Sequence, residues 1–218
     1  MDFKRYIIAS FPFLLPLTPQ ANAGVLYNNL GAATYYEDHI TDTGAQAFGP
    51  LYASFSTGAT ASALIDLKLR LGADDPADGG SFAVSLLSDA GLSPGTVTAS
   101  LGTIFDGVLS ATDTSVVEIP IGTAIPLAAD TRYWIELSSD DTSATWAYSL
   151  DLSGPGVEGE YYDNAGGVAA NDPPGSPGAY QMSVATVPEP LSAALLVSGL
   201  VGIGVIRRGN SRMREAAR

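Results

Sequence analysis

The chain has 218 residues, carries 23 acidic against 10 basic side chains for a formal net charge of −13, and contains no cysteine. A surface this negative repels phosphate backbones, which argues against a nucleic-acid partner. Without cysteine the protein has neither disulfides nor thiol chemistry, so its stability must come from an apolar core.

The first 23 residues have the three regions of a secretory signal peptide. Two basic residues precede an apolar region over 7–17, which is interrupted by two prolines. Small residues follow, and a cut after Ala21-Asn22-Ala23 leaves Gly24 as the first residue of the mature chain. An N-terminal membrane helix is the alternative, but the apolar run is short and broken. We predict that residues 1–23 are a cleaved signal peptide.

Residues 24–186 are long enough to form one domain with its own core. The segment 24–187 contains 20 acidic residues against three basic ones, a formal net charge of −17. Strict alternation over Leu64–Leu71 predicts a half-buried strand, because successive side chains of a strand point to opposite faces. The residues expected on its buried face are Ile65, Leu67, Leu69 and Leu71.

Four more segments show the same two-residue period, at 82–86, 116–119, 133–137 and 180–184. Clusters of Gly, Pro, Asp and Ser separate them, and turn signals occur at residues 78–80, 93–95 and 153–156. No long segment has helical periodicity. This pattern predicts an all-β fold, a jelly-roll-like antiparallel β-sandwich.

Catalytic residues are hard to find in this composition. His39 is the sole histidine, and it falls in an acidic segment where we expect a solvated surface loop. Paired carboxylates suit glycoside hydrolysis, and Glu136 with Glu158 or Glu160 can be proposed as such a pair. Acidic residues are so abundant that pairs arise by chance. We therefore predict that the protein is not an enzyme, with a glycoside hydrolase as the remote alternative.

Calcium is the one cofactor that the acidic residues suggest. Asp74, Asp75 and Asp78 lie within one turn, and carboxylate oxygens from flexible loops are what calcium prefers. Residues 140–141 form a second acidic cluster. Neither cluster has the spacing of an EF-hand loop. A solvated acidic turn is the alternative interpretation.

Aromatic side chains suggest a sugar ligand. Trp146 and Tyr148 are two residues apart and share one face of a predicted strand. Exposed aromatic faces stack on sugar rings in many sandwich modules, which would make these two residues a ligand site. The alternative is that these rings fill the core between the sheets.

The last 32 residues have three parts in a fixed order. Residues 187–190 read Val-Pro-Glu-Pro, residues 191–206 are apolar, and residues 207–218 form a basic tail with five arginines. Sixteen apolar residues are slightly fewer than the roughly 20 that cross a bilayer, but snorkelling flanks permit a span. The arginines predict a cytoplasmic tail, which leaves the rest of the chain outside. A simple tail anchor or a buried helix is the alternative.

This arrangement resembles the PEP-CTERM sorting signal of Gram-negative bacteria, whose proteins are processed by exosortase, a membrane-embedded transpeptidase-like enzyme. The resemblance implies that Pro188, Glu189 and Pro190 are the recognised motif and that Arg207 and Arg208 stop the transmembrane helix. It implies exosortase as a partner and a transient stay in the inner membrane. The basic tail is longer than is usual for the family.

The domain itself is similar to the choice-of-anchor domains attached to such signals. The resemblance supports the predicted fold and the predicted location outside the cell. It does not identify a substrate, because the activity of these domains is unsettled. The segments that carry it are Tyr27–Leu30, Phe82–Asp89, Arg132–Leu137, Tyr161–Asn164 and Tyr180–Met182.

Together these features predict an exported protein of the cell envelope, outer surface or extracellular matrix of a Gram-negative bacterium, with a structural or adhesive role. The first alternative is a carbohydrate-binding module that holds exopolysaccharide. A glycoside hydrolase is the second.

Overall fold

The computed structural model describes residues 23–40, 49–77, 79–139, 142–173 and 177–188. Within them the protein is all-β, as predicted, with fourteen strands and a 3₁₀ turn at Asp106–Val108. No helix in these residues is long and apolar enough to cross a membrane, and the predicted span at 191–206 lies outside them. The strands are β1 (Gly24–Asn28), β2 (Tyr36–Ile40), β3 (Leu51–Ser56), β4 (Ser62–Ala73), β5 (Ser81–Asp89), β6 (Pro94–Phe105), β7 (Ser115–Ile119), β8 (Ile125–Leu127), β9 (Arg132–Ser138), β10 (Ala144–Ser149), β11 (Tyr161–Asp163), β12 (Ala169–Ala170), β13 (Ala179–Tyr180) and β14 (Met182–Pro188).

The strands form two antiparallel sheets. In the larger sheet the order is β1-β14-β4-β10-β13, with β7 and β8 also paired to β4 and β2 also paired to β10. The smaller sheet has the order β12-β11-β3-β9-β5-β6. Because most neighbours in these sheets are distant along the chain, both sheets depend on contacts between separated segments.

A continuous apolar core lies between the two sheets, which makes the fold a β-sandwich. Alternate side chains of both sheets face inward, as the period of a strand requires. The core residues from the larger sheet include Leu67, Leu69, Leu71, Trp146, Met182 and Val184, and those from the smaller sheet include Phe55, Phe82, Val84, Ile135 and Leu137.

Strand β4 follows the predicted alternation over most of its length but not at its start. Leu67, Leu69 and Leu71 are fully buried, whereas Ile65 is only partly buried and Leu64 takes the core position. The register against β14 shifts at this point, because Ala185 pairs with Asp66 and Thr186 with Leu64. A bulge therefore moves Ile65 out of phase, and its predicted place on the buried face is wrong.

The hairpin between β5 and β6 turns three residues earlier than predicted. The amide of Ala90 donates to the carbonyl of Ser93 at 2.8 Å, while residues 94–95 already belong to β6. Burial acts to raise the pKa of Asp89, but hydrogen bonds from the Trp134 indole and from two turn amides outweigh it and hold that pKa below its ordinary value. Asp89 therefore fixes the turn as a carboxylate.

The free side of β1 is covered by the predicted turn at 153–156. The amide of Asn28 donates to the carbonyl of Pro155 at 2.9 Å. A Cβ added at Gly154 or Gly156 would collide with the backbone of β1, and Gly156 has a φ of +67°. Glycine is thus required for this close approach, and the turn protects a strand edge from pairing with another chain.

Candidate functional site

Three tyrosine rings contact one another between the two sheets, and a fourth tyrosine shares a face of the larger sheet with two of them. In the larger sheet Tyr148 of β10 pairs with Tyr36 of β2 on one side and with Tyr180 of β13 on the other, so the three side chains share a face. Tyr162 of β11 reaches them from the smaller sheet. Its ring lies edge-on to Tyr148 at 5.5 Å and to Tyr180 at 5.7 Å, measured between ring centroids. We call these four residues the tyrosine cluster.

A buried carboxylate anchors the inner part of the tyrosine cluster. Asp38 is only 5% exposed and accepts hydrogen bonds at Oδ2 from the hydroxyl of Tyr180 and from the side-chain amide of Asn164, the latter at 3.2 Å. Burial, and then the charge of Asp38, raises the pKa of Tyr180 well above its ordinary value. Burial and the neighbouring Tyr162 likewise raise the pKa of Tyr148. Tyrosine here is a hydrogen-bond donor, not a nucleophile.

Exposure increases outward from this anchor. Tyr180 has no exposed surface, Tyr148 and Tyr162 are half-buried, and Tyr36 is 49% exposed. Tyr35, the residue before β2, is 70% exposed. The two outermost tyrosines therefore present aromatic surface to solvent. Such an edge can stack on a flat ring and donate hydrogen bonds.

Trp146, one of the two predicted sugar-binding residues, lies in the core. It has no exposed surface, its ring stacks on Tyr180 with centroids 4.8 Å apart, and its indole N–H donates to the carbonyl of Gln181 at 3.0 Å. This position agrees with the core alternative, because no ligand reaches the ring without opening the sandwich. Tyr148 is half-buried, and its hydroxyl end lies where a side chain at residue 178 would stand, so that position requires glycine.

Gln181 organises this region and carried no signal in the sequence. It interrupts the predicted strand 180–184, separating β13 from β14, and is fully buried. Its backbone carbonyl accepts from the amide of Arg70 at 3.0 Å, and its amide donates to the carbonyl of Ala147 at 2.8 Å. Its side chain bonds the connection between β1 and β2, donating to Ala32 at 2.7 Å and accepting from Thr34 at 2.7 Å. Its hydrogen bonds thereby join two strands, β4 and β10, and one loop.

The sole histidine is on β2, so its predicted place in a surface loop is wrong. His39 Nδ1 lies 2.9 Å from Asp74 Oδ2, and the hydroxyl of Ser143 donates to the same oxygen. In a catalytic triad the nucleophile bonds the imidazole and the carboxylate orients it. Here serine bonds the carboxylate directly, so this trio is not arranged as a triad.

The structure describes only two of the three predicted calcium ligands, Asp74 and Asp75. Asp74 is engaged by His39, and Asp75 accepts from the amide of Ala77 at 3.0 Å within its own turn. Asp78 and residues 140–141 lie outside the described residues. Among the residues that are described, no three His, Cys, Asp or Glu side chains are placed to hold a metal ion. Calcium binding stays a prediction.

Two of the three carboxylates suggested for a hydrolase, Glu136 and Glu160, are hydrogen-bonded to neighbouring groups, whereas Glu158 is exposed. Glu160 is 5% exposed and accepts from the hydroxyl of Ser54 and from Arg132 Nε, the latter at 2.9 Å. Glu136 accepts from the hydroxyl of Tyr52 at 3.2 Å, and burial, with the charge of Glu136, raises the pKa of Tyr52 to about 12. Glu160 is thus part of an ion pair that binds β9 to the segment before β11.

The residues predicted for processing lie at the limits of the described chain. Gly24 is the first residue of β1, Ala23 precedes it, and Pro188 is the last residue of β14. The others, Ala21, Glu189, Pro190, Arg207 and Arg208, lie outside the described residues.

Comparison with known proteins finds distant structural similarity alone. No family model matches the sequence, and no curated protein matches it. The solved structure of the cysteine protease and lectin-like domains of Cwp84, a surface layer associated protein of Clostridium difficile, is similar to this chain with a TM-score of 0.45 and 11% identity. The match covers 70% of this chain but only 33% of that one, so this chain spans a third of the other protein's length.

Proposed function

We propose that this chain is an exported surface protein of a Gram-negative bacterium, with a structural or adhesive role in the cell envelope or extracellular matrix. The observation that carries the proposal is the extent of the sandwich. Strand β1 begins at Gly24, where the predicted signal-peptide cut falls, and β14 ends at Pro188, where the predicted sorting motif starts. Among the described residues, removing both predicted signals therefore leaves every strand in place except for the last two residues of β14.

The proposal gives a role to each terminal segment of the chain. Residues 1–23 direct export, residues 191–206 hold the chain transiently in the inner membrane, and the basic tail at 207–218 stays in the cytoplasm. Exosortase is the processing partner. A jelly-roll-like arrangement of the sandwich is also part of this proposal. The acidic surface, with a net charge of −17 over residues 24–187, supports a role outside the cell by keeping the displayed domain soluble.

The test is maturation of the full chain in a bacterium that contains an exosortase. Replacing Pro188, Glu189 and Pro190 together with alanine should leave the protein membrane-held, because the enzyme loses the motif it recognises. Glu118→Ala with Pro120→Ala removes the same residue types at exposed positions and should mature normally. Normal maturation of the triple variant would refute the proposal.

A carbohydrate-binding module is the second candidate, and the exposed edge of the tyrosine cluster favours it. Tyr35 and Tyr36 offer aromatic surface beside the hydrogen-bonding groups of the inner cluster. The strongly negative domain would repel anionic polysaccharides, so a neutral or amino sugar polymer is the ligand class that fits.

The second candidate is tested by pull-down with neutral, amino and uronic-acid polysaccharides, run with calcium and with chelator. Tyr36→Ala should abolish binding to the neutral or amino polymers. Phe105→Ala is the matched control, because Phe105 is 66% exposed on the other sheet. Equal binding by both variants would show that the exposed tyrosines are not the sugar-binding site. Binding that is lost in chelator would support a calcium site at the acidic turns.

A further inference from the structure

The two predicted processing points lie on neighbouring strands. Gly24 pairs with Thr186 of β14, and Pro188 pairs with Ser62 of β4. Paired residues of an antiparallel ladder have Cα atoms roughly 4.5–5.5 Å apart. The start of the mature chain and the start of the sorting motif therefore lie at the same corner of the larger sheet.

This corner contains an open pocket of about 240 Å³. Its walls are the start of β1 at Gly24, the connection over 58–62 that leads into β4, and the end of β14 at Thr186 and Pro188. Small residues make up most of the lining, and a Cβ added at Gly24 or Gly58 would meet nothing within 4 Å. We call this feature the corner pocket.

An unpartnered polar atom is buried in one wall of the corner pocket. Ser62 is 7% exposed, and its hydroxyl has no hydrogen-bond partner among the described residues. A buried hydroxyl without a partner costs about 1–3 kcal/mol, so such groups are normally satisfied. The hydroxyl oxygen itself is buried, so a polar side chain in the corner pocket would reach it only after the wall at residues 58–62 moved outward.

The ladder also limits where a processing enzyme can hold the chain. Strand β14 is paired to β1 on one side and to β4 on the other, and Thr186 is buried. Pro188 is exposed at the strand end and has no N–H to donate, so it can leave the sheet without loss of an amide hydrogen bond. The enzyme can therefore take the chain from Pro188 onward and no earlier.

From these observations we infer that the corner pocket is a docking surface for the membrane-embedded processing enzyme, an inference that rests on the proposed function. An extended segment of three residues spans only about 10 Å. An enzyme that holds residues 188–190 in a cleft must therefore stand against the corner. The open space at residue 58 gives it clearance.

The test follows the ratio of unprocessed to processed full-length chain in a host that contains the exosortase. Gly58→Trp fills the corner pocket and should raise that ratio about tenfold, the effect of a clash of ~1.4 kcal/mol. Gly31→Trp is the matched control, because residue 31 follows the opposite end of β1 and a Cβ there also meets open space. It should mature like the unaltered chain.

A second variant shows whether Gly58→Trp acts by blocking the corner pocket or by damaging the fold. Four residues, Gly-Ser-Gly-Ser, inserted between Val187 and Pro188 move the motif up to about 13 Å from the sheet. With this insertion the enzyme no longer stands against the corner, so adding Gly58→Trp should leave the ratio equal to that of the insertion alone. A further rise in the ratio when Gly58→Trp is added to the insertion, or normal processing of Gly58→Trp alone, would overturn the docking surface. If the triple alanine variant of residues 188–190 also matured normally, the proposed function itself would fail.

Discussion

Replacing Trp146 tests whether this residue belongs to the core or to a ligand surface. The side chain has no exposed surface, stacks on Tyr180 and donates to the carbonyl of Gln181. Truncating a buried tryptophan removes its packing and leaves a cavity, so Trp146→Ala should lower the free energy of unfolding by about 3–5 kcal/mol. For a domain of this size that corresponds to a fall of about 6–20 °C in Tm.

Trp146→Phe distinguishes the contribution of ring packing from that of the indole hydrogen bond. The smaller ring keeps the stack on Tyr180 but loses the indole N–H, and the carbonyl of Gln181 still accepts from the amide of Arg70. The expected loss is therefore only about 1–2 kcal/mol. Urea unfolding of purified residues 24–187 measures both values, with Tyr35→Ala as an exposed control expected within about 0.5 kcal/mol. A loss below about 1 kcal/mol for Trp146→Ala would refute the core assignment.

Three further predictions concern stability. Arg132→Ala leaves the buried carboxylate of Glu160 without its cation and should destabilise the domain by about 3–5 kcal/mol in urea unfolding, whereas an equally stable variant would show that the pair is dispensable. The pKa of Tyr52 is raised from 10.0 to about 12, so its contribution to stability is fully present below pH 10 and is lost as the pH rises toward 12. Urea unfolding across that range should follow this loss, and constant stability would contradict it. Because residues 24–187 carry a net charge of −17, adding monovalent salt from low ionic strength to about 0.15 M should raise Tm by screening repulsion, and a fall in Tm would count against this.

The class of fold could be predicted because alternation is a local property of the sequence. The period of two over Leu64–Leu71 identifies a strand with one buried face whatever its neighbours are. The bulge at Ile65 could not be predicted, because it arises from the register between β4 and β14, which lie far apart in the chain.

The candidate site was predicted only in part for the same reason. Trp146 and Tyr148 share a face as expected, but the partner strands decide which of their rings solvent can reach. Asp38 and Tyr180 are 142 residues apart in sequence, and Gln181 bonds residues about 150 positions away. No local pattern encodes such pairings. The predicted processing signals, in contrast, are linear by nature, so predicting them requires no knowledge of the fold.

If the proposed function is right, the mature protein is the sandwich and both terminal signals are removed outside it. The intact mass of the chain recovered from the outer surface or matrix of its host tests this most directly. We predict an N-terminus at Gly24 and a C-terminus at or beyond Pro188, without residues 191–218. An exported chain that still carries residues 191–218, or one cut within β14, would contradict it.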